Sequence, residues 1–149
     1  MIGIGAGLAV LPAWWALRQV VNDPGGGWHT DSAPLERAFP LIGPLTEARW
    51  VSSRDDDRGV PAPELVISGL ARLAPGGLDR LTAAHPFEAA RPPAEFTSWF
   101  EQPLKGQGPK DPQWIRSPYL DRDGSGPAVK LWFDRRSSTV RFWALNPYG

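Results

Sequence analysis

"AVKLWFDRRSSTVRFWAL", residues 128–145, decides the fold of this chain. Two runs with apolar residues at every second position flank a polar stretch, Asp134 to Ser138. A period of two belongs to strands, and a polar turn between two such runs makes an antiparallel β-hairpin. Val129, Leu131 and Phe133 then share one face, where Val140, Phe142 and Ala144 can meet them across the ladder. The opposite face carries Lys130, Trp132, Arg141 and Trp143. Either a second layer covers it, or it is an exposed aromatic surface flanked by charge. In the second case Trp132, Trp143 and Arg141 form a binding surface for sugar rings or a protein partner, since flat aromatic planes offer contact area at low entropic cost.

Upstream, "ELVISGLARL" (residues 64–73) alternates Leu65, Ile67, Gly69, Ala71 and Leu73 with Val66, Ser68, Leu70 and Arg72, a strand covered on one face and partly on the other. Residues 47–52 hold a further strand around Trp50 and Val51. A short helical turn is expected at 35–39, and a short helix in "PGGLDRLTAAH" (75–85), ending before Pro86. Another is expected in "PPAEFTSWFEQ" (92–102), where Phe96, Trp99 and Phe100 fall on one helical face. Strands, helices and a closing hairpin in this order give an α+β fold: a small antiparallel sheet with a C-terminal β-hairpin and two or three short helices, preceded by an N-terminal hydrophobic helix.

That leading segment is "MIGIGAGLAVLPAWWALRQVV", residues 1–21. Residues 2–17 carry no charged or amide side chain, about 24 Å as a helix against a hydrocarbon core of about 30 Å. Extending to residue 21 closes the gap, because Arg18 can run its head to the lipid headgroups. Trp14 and Trp15 lie where an interfacial aromatic belt would sit. Nothing basic precedes the apolar run and tryptophans occupy its end, which argues against a cleaved signal peptide. The segment is apolar all round instead of amphipathic, so residues 2–21 are expected to contact the membrane. A core helix of a soluble domain is the alternative. Residues 22–34 read as a Gly/Pro-rich linker through Gly25, Gly26 and Gly27, and residues 35–149 as one compact domain.

Composition excludes several functions. Sixteen basic residues balance sixteen acidic ones, which provides no field for a nucleic acid. Without cysteine there is no disulfide, thiolate metal site or cysteine nucleophile. Sixteen glycines and 17 prolines favour irregular connections. The two histidines stand in no metal-ligand spacing. His29, Asp31 and Ser32 are the residue types of a hydrolase triad, but three near neighbours cannot hold its geometry. Asp55, Asp56 and Asp57 lie between Arg54 and Arg58 and read as a solvated loop. No nucleophile, base and metal set converges, so a binding or structural module is expected and no enzyme or cofactor. One local pattern qualifies this. "DRDGSG" (121–126) is similar to the first half of an EF-hand calcium loop, with Asp121, Asp123 and Ser125 at ligand positions and Gly126 at the turn. The second half departs: Trp132 stands where the bidentate glutamate belongs. Calcium is therefore the alternative to no cofactor, against an ordinary turn before the hairpin.

"RGVPAPE" (58–64) before a strand, "LAPGGLDRL" (73–81) and the closing "LWFDRRSSTVRFWALNPYG" (131–149) resemble a group of small uncharacterised proteins of high-GC Gram-positive (actinobacterial) type. In these an N-terminal membrane segment precedes one compact domain. The resemblance spans about residues 46–149 and implies an exported or anchored body, with no catalytic residue to carry over. It sets the expectation of a single-pass protein of the cell membrane with an extracytoplasmic body, although Arg18 alone would argue for a cytoplasmic one. The alternative expectation is a soluble cytoplasmic interaction protein, such as an immunity-type partner of a toxin, with the first helix in its core.

Overall fold

The structure is a computed structural model and describes residues 28–54, 65–93, 96, 99–122 and 128–148. The apolar segment 1–21, Asp55 to Asp57, Asp123 and Ser125 lie outside the described residues.

The elements run β1 (Trp28–His29), α1 (Ala33–Ala38), β2 (Leu45–Arg54), β3 (Leu65–Leu73), α2 (Gly77–Ala84), β4 (Glu88–Ala89), a 3₁₀ helix (Trp99–Leu104), β5 (Trp114–Arg116), β6 (Ala128–Asp134) and β7 (Thr139–Leu145). Among the described residues they build an α+β fold around a sheet of seven strands in the order β1-β2-β3-β7-β6-β5-β4, antiparallel at every pairing. The closing hairpin has the register its sequence pattern requires: Val129 faces Ala144, Leu131 faces Phe142 and Phe133 faces Val140.

One face of the sheet carries the main core. Ile67, Ala71 and Leu73 of β3 join the hairpin residues there, with α1 supplying Leu35 and Ala38 and α2 supplying Leu78 and Leu81. Both helices are short and rely on this packing, since isolated segments of six and eight residues do not hold a helix in water. An irregularity in β2 between Leu45 and Glu47 lets Leu45 enter the same core as Ala48 and Trp50. The extra residue, Thr46, is exposed. Side-chain hydrogen bonds pin the surroundings. Glu36 Oε2 accepts from the Leu45 amide at 2.9 Å, and Trp50 Nε1 donates to the Asp31 carbonyl at 2.9 Å. Asn146 clamps the start of β3, its Oδ1 accepting from Leu65 N at 2.9 Å while its backbone N–H donates to Leu65 O at 2.7 Å.

The second face is covered as well, by a smaller cluster of Val51, Leu70, Phe96 and Leu104 with Phe100 packed against it. The 3₁₀ helix lies over β2 and β3 here, and its Glu101 carboxylate accepts a hydrogen bond from the Ser68 hydroxyl in a buried setting. Arg49, on the same face as Val51, is fully buried. Glu47, two residues before it, has its carboxyl raised above the ordinary value, because burial outweighs the attraction of Arg72 and Arg49. A raised native value means that its charge costs stability at neutral pH. That cost is relieved as pH falls through the native value towards the unfolded one.

The structure departs from the sequence expectations in three places. Trp28–His29 and the start of α1, inside the stretch read as linker, belong to the folded body. His29 stacks on Trp50 with ring centroids 4.2 Å apart, which seats the edge strand on the core. The described part of the helix expected in 92–102 is 3₁₀ and continues through Pro103, whose missing N–H cannot serve an α-helical ladder. β4 and β5 were not anticipated; with two and three residues they are too short for a periodic signal.

Candidate binding cleft

Beyond the area covered by the 3₁₀ helix, the second face opens into a cleft of about 1080 Å³. Its walls include Arg91, Pro93, Gln113, Trp114, Arg135 and Arg141. Each is placed by a local feature. Arg141 stands on β7 opposite Trp132 of β6. Its Nη1 donates to the Pro93 carbonyl at 3.2 Å, and its guanidinium lies 4.2 Å from the centre of the Phe96 ring. The head is thereby held at the mouth of the cleft by a carbonyl and a π-face. Trp114 begins β5, and its carbonyl accepts from the Ala90 amide at 3.1 Å, which joins the two walls at their base.

Asp134 does not line the cleft but anchors two segments that do. It is fully buried, at 0 % exposure, at the end of β6. Oδ1 accepts from Gln113 N at 2.7 Å and Arg136 N at 3.2 Å; Oδ2 accepts from Ser137 N at 3.2 Å and Ser137 Oγ at 2.6 Å. One carboxylate thus fixes both the hairpin turn and the approach to β5. The Arg135 amide donates to the Gln113 carbonyl at 3.0 Å, completing the link. The turn that reads in sequence as a plain polar connection is a scaffold for two cleft residues.

The residues singled out from the sequence fall as follows. Trp132, Trp143 and Arg141 do share the second face. Trp132, however, is only 5 % exposed, with the Arg116 guanidinium 5.9 Å from its ring centre, so it is covered and offers no open plane. Trp143 is half-buried, paired with Lys130 and Ser68 across the ladders. The tryptophan that lines the cleft, beside Phe87, is Trp114, which sequence reasoning passed over. Its only local signal is an isolated indole in "DPQWIRSP" (111–118), next to a glutamine and an arginine.

Asp121, first of the calcium-type ligands, is committed elsewhere. Its side chain is 4 % exposed; Oδ2 pairs with Arg116 and Oδ1 accepts from Leu131 N at 3.0 Å, so it ties β5 to β6. Arg122 and Val129 exchange backbone hydrogen bonds of 2.9 and 2.8 Å, closing the base of the segment that holds Asp123 and Ser125. Among the described residues no group of three or more His, Asp or Glu is placed to hold a metal ion. Also among the described residues, no helix is long and apolar enough to cross a membrane.

A smaller hollow of about 300 Å³ lies on the first face between Phe39, Leu41, Tyr119 and Leu131. It is apolar, and Leu41 and Tyr119 at its rim are 61 % and 66 % exposed. The larger cleft combines converging cations, an amide and an indole, the mixture of apolar wall and placed polar groups that ligand sites present. No protein-family model, no characterised protein and no solved structure matches the chain.

Proposed function

We propose that the protein is a binding module tethered to the cell membrane by residues 2–21, with its body outside the cytoplasm and its ligand in the cleft beside β4 and β5. The observation that carries this reading is the convergence of Arg91, Arg135, Arg141, Gln113 and Trp114 on one cleft. The tether rests on the uncharged run 2–17 and on the resemblance to small membrane-anchored proteins of actinobacterial type.

Fractionation of cells producing the full chain tests the address. The chain is expected in the membrane pellet after an alkaline carbonate wash, and protease added outside intact cells is expected to digest the body. Recovery in the soluble fraction contradicts the tether. It favours a soluble interaction protein that buries residues 2–21 in its own interior.

A further inference from the structure

Resting on the reading of the cleft as a ligand site, we propose that its ligand is an anionic oligosaccharide, a short chain of sugar rings bearing carboxylate or sulfate groups. Charge is the first argument. Arg91 and Arg135 are exposed and have no ion pair among the described residues, and Arg141 is oriented by Pro93 and Phe96. Against these three cations the lining holds two carboxylates, Glu88 and Asp111. Arg91 and Arg135 are the guanidinium groups of the described lining that stand open to an incoming anion. Planar guanidinium forks bind carboxylate and sulfate oxygens in pairs, with donor geometry an ammonium lacks.

The second argument is the indole. Trp114 offers a half-buried aromatic wall beside the Gln113 amide, and a sugar ring uses both: its C–H face packs on the ring while its hydroxyls meet the amide. Size is the third. At about 1080 Å³ the cleft lies at the upper end of ligand sites and suits several rings better than a single ion. Its walls are stiffened by Pro92, Pro93 and Pro112, so little ordering is needed on binding.

An acidic peptide adding a strand to the sheet edge fits less well. β4 is two residues long and lies between Pro86 and the Pro92–Pro93 pair, which have no N–H to donate to an incoming strand.

The test uses the full-length chain in detergent micelles and four probes: tetragalacturonate, a sulfated tetrasaccharide, neutral maltotetraose and tetra-glutamate. Affinity is read by calorimetry, and the site by the indole and amide resonances of Trp114 and Gln113. At least one anionic tetrasaccharide is expected to bind tenfold or more tighter than maltotetraose and tetra-glutamate. Arg91→Ala and Arg135→Ala are each expected to weaken it roughly tenfold, with an unchanged melting midpoint because both side chains are exposed. Tighter or equal binding of maltotetraose or tetra-glutamate at Trp114 overturns the ligand class and leaves the cleft as a site for another ligand. Anionic sugar bound without shifts at Trp114 and Gln113 overturns the cleft itself. Failure of both anionic sugars to bind overturns the proposal.

Discussion

Asp134→Ala is expected to lower the free energy of unfolding by about 3 kcal/mol and to disorganise the cleft at the same time. The carboxylate is fully buried and accepts four hydrogen bonds, three from backbone amides and one from the Ser137 hydroxyl. Hydrogen bonds to a charged group each contribute about 1.5–3 kcal/mol, and a buried donor left without a partner adds its own desolvation penalty. Arg136 and Ser137 lie in a turn and can turn to water, which limits the sum; Gln113 N, 2.7 Å from Oδ1 and 21 residues away in sequence, is the costly loss. Asp134→Asn should recover part of the stability, because one amide oxygen still accepts while the NH₂ meets donors on the other side. Urea denaturation of the three proteins measures this. A loss below about 0.5 kcal/mol for the alanine variant would mean that the carboxylate does not organise the turn.

Gly69→Ala is expected to cost about 3 kcal/mol for the opposite reason, too much material where none fits. Gly69 pairs with Trp50 across the β2–β3 ladder. A Cβ there would stand 2.3 Å from the Arg49 carbonyl and 2.6 Å from both Cα and Cβ of Trp50. Two of these three atoms are backbone, so relief requires the strands to separate, and overpacking of a closed site typically costs about 1–3 kcal/mol. The upper end is expected in the middle of the longest strand pair, where a local shift propagates along both strands. The same denaturation experiment reads it. Wild-type stability in the variant would contradict the register that places Trp50 opposite Gly69.

Legibility in the sequence followed the length of each signal. The hairpin 128–145 could be read to the level of facing residues, because seven-residue strands give several turns of a period-two pattern and the connecting turn contains no apolar residue. β3 and α2 were legible for similar reasons. Strands of two or three residues were not: the edge strands β1 and β4, and β5 inside β4, exist because neighbouring strands offer them hydrogen-bonding partners, a tertiary cause that leaves little local trace. The candidate site suffered most from this. Trp132 and Trp143 lie in an obvious hairpin and drew attention, yet Trp132 is covered. Trp114, Arg91 and Arg135 come from a short strand, an irregular segment and a turn, and only the fold brings them to one cleft. Asp121 shows the same effect in reverse, since a residue with a calcium-type neighbourhood in sequence is used to join two strands.

The most direct test of the account is residue-resolved oxidative footprinting of the full chain, read by mass spectrometry at each tryptophan. If the cleft is the working surface, Trp114 is oxidised faster than Trp132 in the free protein and is protected when ligand binds, with Trp132 unchanged. Faster oxidation of Trp132, or ligand protection at Trp132 and Trp143 with Trp114 unaffected, would contradict it.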